Sequence, residues 1–183
     1  MTTTTPALAA GTWTIDPVHS DVTFSVRHLG VSKVRGSFTD FNGEIVIGED
    51  GTPSVSATID VASVDTRNDQ RDTHVRSADF FDTDNHPTAT YRSTSVRADQ
   101  EANENDYIVD GELTLHGITK PVVLTLSLEG VGPGMQGGTV AGFEASAQVN
   151  RGDFGITGGA GLVGEKVTLT FNIEAGHPEA PSN

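Results

Sequence analysis

Alternation is the feature that most constrains this chain. Val22, Phe24 and Val26 alternate with Thr23, Ser25 and Arg27, and Val55, Ala57, Ile59 and Val61 alternate with Ser56, Thr58 and Asp60. Val167, Leu169, Phe171 and Ile173 alternate with Lys166, Thr168, Thr170 and Asn172. Apolar residues at every second position put one face of an extended strand in a core and the other in water. Strands dry on one face only belong to antiparallel sheets. Tyr107, Val109, Leu113 and Leu115 share a parity, with Gly111 between them, and after the bend at His116-Gly117 the pattern resumes at Val122, Leu124 and Leu126. Between Val34 and Ile47 the parity changes near Asp40-Phe41, as a bulge or bend requires.

Turn signals separate these runs at Glu49-Asp50-Gly51, from Asp99 to Asp106, at His116-Gly117 and from Gly130 to Gly138. Together they read as an all-β, antiparallel chain of about eight strands, and a sheet of that size closes or folds into a sandwich because open edges invite aggregation. A length of 183 residues suits one domain. The expected organisation is a barrel domain over residues 12–175, between disordered tails at 1–11 and 176–183.

One segment breaks the rhythm. Residues 66–81, TRNDQRDTHVRSADFF, lack alternation and offer Asn68 or Asp69 as an N-cap. A short helix near residues 69–78 is expected. Arg67, Arg71 and His74 have the spacing to share a face, and Phe80 and Phe81 would anchor the segment to the body. Two roles fit: a plug over one open end of a barrel, with its charges in water, or a contact for a ligand's polar group.

Charge and composition exclude several classes. A formal net charge of -14 disfavours nucleic acid, whose phosphates need Lys and Arg, and disfavours adsorption to an anionic membrane surface. The absence of cysteine excludes disulfides, thiolate nucleophiles and Cys-ligated metals. No stretch approaches the roughly 18 apolar residues of a membrane span, so stable membrane insertion is not expected. The start, MTTTTPALAAGT, has no basic residue and only a short apolar run, which gives a cytoplasmic protein as the expectation. An exposed apolar edge would support a homodimer.

Motifs of chemistry are weak. Gly159-Ala160-Gly161-Leu162-Val163-Gly164 matches G-x-G-x-x-G by letter, but it precedes a strand and opens no helix, so a flexible loop is the better reading. The six histidines His19, His28, His74, His86, His116 and His177 show no local metal-ligand spacing. Asp79, Asp82, Asp84 and His86 cluster without the glycine and glutamate of a calcium loop. There is no G-x-S-x-G elbow. No cofactor and no metal are expected.

The dry faces are more informative. Thr139, Ala141, Phe143, Ala145, Ala147 and Val149 share one parity, and half of them are alanine. A barrel of about eight strands is either just filled by its side chains or holds one small ligand. Small inward residues favour a cavity, unless the alanines face large partners across the barrel. A hydrocarbon guest would gain about 0.8 kcal/mol per buried CH₂, so an apolar chain would need few polar contacts, and those only at the mouth.

Several blocks then become recognisable. WTIDPVHS (13–20), FSVRHLG (24–30) and VRGSF (34–38) resemble the opening of YceI-like proteins. The resemblance continues through RDTHVRSADFF (71–81), His86-Pro87, LTLHGITKP (113–121) and NRGDFG (150–155), and runs from Gly11 to Glu174. It implies a lipocalin-like antiparallel barrel with a long hydrophobic pore. The implied function is non-enzymatic binding, transport or storage of an isoprenoid lipid, either a polyprenyl phosphate or a prenylated quinone-like molecule.

On this reading the expected lining is Phe24, Phe38, Ile59, Leu113, Leu115, Leu124, Leu126, Ala141, Phe143, Ala145 and Phe171. Arg71, His74 and Arg151 are the candidate headgroup contacts. His116-Gly117 reads as a tight turn, and Arg151 has a competing role in a buried Arg-Asp pair within Asn150-Arg151-Gly152-Asp153. Two other classes stand beside this one: a stress-linked enzyme acting on a small apolar substrate, and a structural or partner-binding barrel with a filled core.

Overall fold

The computed structural model describes residues 8–178. The strands in chain order are β1 (Gly11–Ile15), β2 (Asp21–His28), β3 (Ser32–Phe38), β4 (Phe41–Ile47), β5 (Pro53–Asp60) and the short β6 (Val64–Asp65). The single helix α1 (Asp69–Arg76) follows, then β7 (Thr88–Ala98), β8 (Asp106–Leu115), β9 (Ile118–Pro133), β10 (Thr139–Asn150) and β11 (Val163–His177). All pairings between these strands are antiparallel.

Eight of these strands form a closed ring. The order runs β1-β4-β5-β7-β8-β9-β10-β11, and β11 returns to β1 through Thr14↔Gly176 and Ile15↔Ala175. The remaining strands extend one end of the wall: the first two thirds of β11 pair with β2, β2 with β3, and the tip of β3 with β6. The parity change at Asp40-Phe41 is where the chain changes partners. β3 pairs with β2, whereas β4 pairs with β1 and β5.

Turn chemistry fixes the two tightest hairpins. Leu29 and Gly30 both take positive φ (53° and 68°), as do His116 and Gly117 (53° and 73°). Two consecutive left-handed residues make the type I′ turn that matches strand twist. The His116 turn therefore closes β8 onto β9 with Leu115 opposite Ile118. In α1 the Asn68 side chain caps the helix by accepting from the Arg71 N–H, and the helix ends at Arg76, short of the residue 78 expected from sequence. Arg67 lies outside it with φ 64° and shares no helical face with Arg71.

The domain is longer than expected at its C-terminal end. β11 continues through Gly176 and His177, where a tail was expected, because His177 stacks on Trp13 and hydrogen-bonds to the Thr12 carbonyl. β9 likewise runs through Gly130 to Pro133, pairing with the start of β10. At the other end, Leu8 packs against the base cluster and the Trp13 indole N–H donates to the Ala9 carbonyl. The remainder of the two proposed tails lies outside the described residues.

Two buried clusters bracket the interior. Trp13, Ile45, Ile47, Leu128, Ala141, Phe143 and Ala175 close the base. Val109, Leu113, Val122, Leu124, Ala147, Phe154 and Ile156 line one flank, with Phe80 and Phe81 packed against them. Burial of each such aliphatic side chain stabilises the fold by about 1.5–3 kcal/mol.

Candidate functional site

The space between these clusters is open. A cavity of about 480 Å³ runs down the barrel axis, walled by side chains from nearly every strand and roofed by α1 and Phe80-Phe81. This volume lies within the range of roughly 300–1,000 Å³ usual for small-molecule sites. The wall is apolar because the same parity that makes each strand amphipathic aims its hydrophobic residues at the axis.

Phe24, Phe38, Ile59, Leu113, Leu115, Leu124, Leu126, Phe143, Ala145 and Phe171 all line this cavity. Ala141 does not. It pairs with Ala175 on one side and Val131 on the other, and packs beneath the cavity among the residues around Trp13. Ala141 has the inward parity but is the case in which a small residue faces large neighbours. The alanines thus divide by height: Ala145 opposite Phe171 lines the cavity, and Ala141 is buried in the cluster around Trp13.

A second cavity, of about 450 Å³, lies towards the base between β5 and the end of β7, with Leu8, Pro53, Val96 and Tyr107 in its wall. It exists because β5 and β7 part company. Their pairing ends at Ser56↔Arg92, and the Val55 N–H takes the Ser93 hydroxyl next to a bulge at Ser93/Ser95. Ile45, Val55, Leu126 and Phe143 border both cavities and form the partition between them.

The three polar candidates stand in different situations. Arg71 reaches the cavity wall, but its Nε donates to Thr66 Oγ1 and its Nη2 to the Thr66 carbonyl, both at 2.7 Å. Thr66 in turn donates its N–H and hydroxyl to the buried Asp72 carboxylate. This network orients Arg71 at the rim. His74 places Nε2 2.8 Å from Asp79 Oδ2 and sets its ring edge-on to Phe80.

Arg151 is buried and fully engaged. It donates to the carbonyls of Gly164, Ile156, Gly158 and Val163 and approaches the Glu165 carboxylate at 3.4 Å. The expected Arg-Asp pair is replaced by this set of carbonyls, which holds the loop between β10 and β11 in place. Within that loop Gly159 and Gly161 take positive φ (66° and 78°), and a strand follows. Residues 159–162 of the G-x-G-x-x-G string are therefore a loop, and Val163 and Gly164 open β11.

Arg27 and His28 also border the cavity, at the end of β2, and sequence reasoning did not select them. Their signal was present: a cation and a histidine directly after an alternating run sit where a strand meets a barrel mouth.

Two groups of side chains have the composition to hold a metal. Asp82, His86 and His116 bring their ligating atoms within 4.8 Å of one another, as do Asp16, His19 and Glu174. His116 Nδ1 donates to the Phe154 carbonyl at 2.9 Å, tying the β8–β9 turn to the neighbouring loop. In the second group the Asp16 carboxylate hydrogen-bonds to His19 and holds the imidazole pKa above its ordinary value, with the charges of Asp16 and Glu174 adding to the effect. The same bond, with a second from the Val18 N–H, lowers the Asp16 pKa.

The family profile of the YceI-like domain matches residues 13–175. Protein YceI of Escherichia coli O17:K52:H18 is 41% identical over 158 residues, spanning 85% of this chain and 81% of that relative. BcnA of Burkholderia cenocepacia superposes with a TM-score of 0.75 at 23% identity, over 87% of this chain and 98% of that one. A polyisoprenoid binding domain from Saccharophagus degradans superposes with a TM-score of 0.68 at 18% identity, over 91% of this chain and 98% of that one.

Proposed function

The chain belongs to the YceI-like family, and we propose that it is a non-enzymatic carrier or store for an isoprenoid lipid, a polyprenyl phosphate or a prenylated quinone-like molecule. The observation that carries this reading is the apolar axial cavity, walled by Phe24, Phe38, Ile59, Leu113, Leu124 and Phe171 among others. An isoprenoid chain has no polar group to satisfy along its length, so a wall of hydrocarbon is the complementary surface. The polyisoprenoid binding domain of the same fold supports this choice over other apolar guests.

The polar end of such a lipid belongs at the mouth. Arg27, His28, Arg71 and His74 border the cavity there and supply donors and positive charge suited to a phosphate. Arg151, although it also borders the cavity, has its guanidinium taken up by backbone carbonyls and contributes by fixing the loop. Among the described residues no helix is long and apolar enough to cross a membrane. The cytoplasmic location belongs to this proposal and is tested by cell fractionation.

Incubation of the delipidated protein with a polyprenyl phosphate, followed by native mass spectrometry over time, tests the reading. One intact lipid retained per chain supports a carrier. Steady conversion of the lipid supports an enzyme instead, and no retention supports a barrel with a different role.

A further inference from the structure

The overall charge of -14 conceals a segment of opposite character. Residues 22–38, which form β2 beyond its first residue Asp21, the turn and β3, contain no Asp or Glu but hold Arg27, His28, Lys33 and Arg35. All four are exposed. Among the described residues, no carboxylate pairs with Arg27, Lys33 or Arg35. These cations are therefore available to a partner, in a protein whose remaining surface repels anions.

The tip of the same hairpin is apolar and in water. Leu29 is 55% and Val31 83% exposed, and Leu162, at 54%, lies beside them because the Leu29 N–H bonds to the Leu162 carbonyl. Leu162 belongs to the cavity wall, as do Arg27 and His28. The apolar tip and the basic hairpin thus lie together at one end of the barrel, beside residues of the cavity wall.

We propose that this end is a docking surface for an anionic lipid bilayer, and that docking turns the cavity mouth towards the membrane. A few aliphatic side chains entering the interface, surrounded by Lys and Arg at headgroup level, are the elements of reversible peripheral binding. Asp79 and Glu165, on segments beside the hairpin, place carboxylates at the same end, so the contact is confined to the hairpin itself and its apolar tip. This surface deepens the carrier reading: it supplies the place where a lipid would enter or leave.

Flotation of the purified full-length protein with phosphatidylcholine vesicles, with and without phosphatidylglycerol, tests the surface. Binding is expected to the phosphatidylglycerol vesicles, to fall as salt rises, and to weaken roughly fivefold for each of Lys33→Gln and Arg35→Gln. Leu29→Asn suits the positive φ at that position, and together with Val31→Ser it is expected to abolish flotation with unchanged thermal unfolding. Arg97→Gln, at the opposite end, is expected to leave binding as it was.

Equal flotation with neutral vesicles, or persistence of binding in the folded hairpin variants, overturns the proposal. The carrier reading is measured separately, by lipid retention in solution. A protein that retains lipid but ignores vesicles loses the docking surface alone, and one that floats but retains no lipid loses the carrier reading alone.

Discussion

The Tyr91 ring lies over Gly111, and its hydroxyl sits between the carbonyls of Val109 (3.3 Å) and Val122 (3.1 Å). Gly111 is the position at which the alternation of β8 lapses, and the reason is spatial. A Cβ there would meet the Tyr91 ring and the Arg92 carbonyl oxygen. The glycine admits the ring, and the ring fills the gap in the wall. Gly111→Ala is therefore expected to lower stability by about 1–3 kcal/mol, the usual effect of overpacking. Tyr91→Phe is expected to cost about 0.5–1.5 kcal/mol for the lost hydrogen bond. Denaturant unfolding checks both, and a neutral Gly111→Ala contradicts the packing account.

The same phenol sets an alkaline limit. Burial, with a smaller contribution from Asp110, pushes the Tyr91 pKa up to about 12. The folded state thus retains a proton that the unfolded chain releases near pH 10. A raised folded pKa means that the contribution is complete below about pH 10 and is lost as pH rises through about 12. Stability of the wild-type protein should fall over that window more steeply than that of Tyr91→Phe. Parallel curves would show that Tyr91 does not titrate in this way.

A carboxylate partner also raises the pKa of His19, here by favouring its charged form. The hydrogen bond to Asp16 favours the charged imidazole, so the His19 NMR titration midpoint is expected above that of an ordinary histidine and to drop in Asp16→Asn. Since the folded pKa is raised, whatever stability the pair contributes is present at low pH, down to the point where Asp16 itself protonates, and is lost as pH rises through the His19 midpoint. An unchanged midpoint in Asp16→Asn would contradict the pairing.

Two alanines of one strand separate cavity from core. Ala145→Trp places an indole in the cavity and is expected to abolish lipid uptake while the fold survives. Ala141→Trp overfills the cluster around Trp13 and is expected to destabilise the protein by at least about 1–3 kcal/mol. Thermal unfolding and lipid binding on both proteins check the pair. Full uptake by a folded Ala145→Trp removes Ala145 from the lining.

Arg151 should behave as a structural residue. Arg151→Ala strands several carbonyls of the 156–164 loop and is expected to cost on the order of 2–4 kcal/mol. Lipid affinity per folded molecule should stay within a few-fold of wild type. Unimpaired stability with abolished binding would return Arg151 to the headgroup site.

How far the sequence could be read follows from what each signal depends on. Period-two alternation is local, so the strands, the break at Asp40-Phe41 and the capped helix after Asn68 were legible. The left-handed pair at His116-Gly117 was legible because glycine marks it. Height along the barrel was not: parity aims Ala141 and Ala145 to the same side, but only closure of β11 onto β1 beneath Trp13 makes one of them core. The partners of Arg151 were also hidden, since backbone carbonyls leave no trace in side-chain identity. The extension of β11 to His177 depended on Trp13, some 160 residues away along the chain, where the imidazole stacks on the indole.

The most direct test is organic extraction of the purified protein followed by mass spectrometry of the extract. The account predicts an isoprenoid lipid in near-stoichiometric amount, absent from an Ala145→Trp preparation of equal fold. An extract free of isoprenoid lipid, from protein that also fails to take one up when offered, would contradict it.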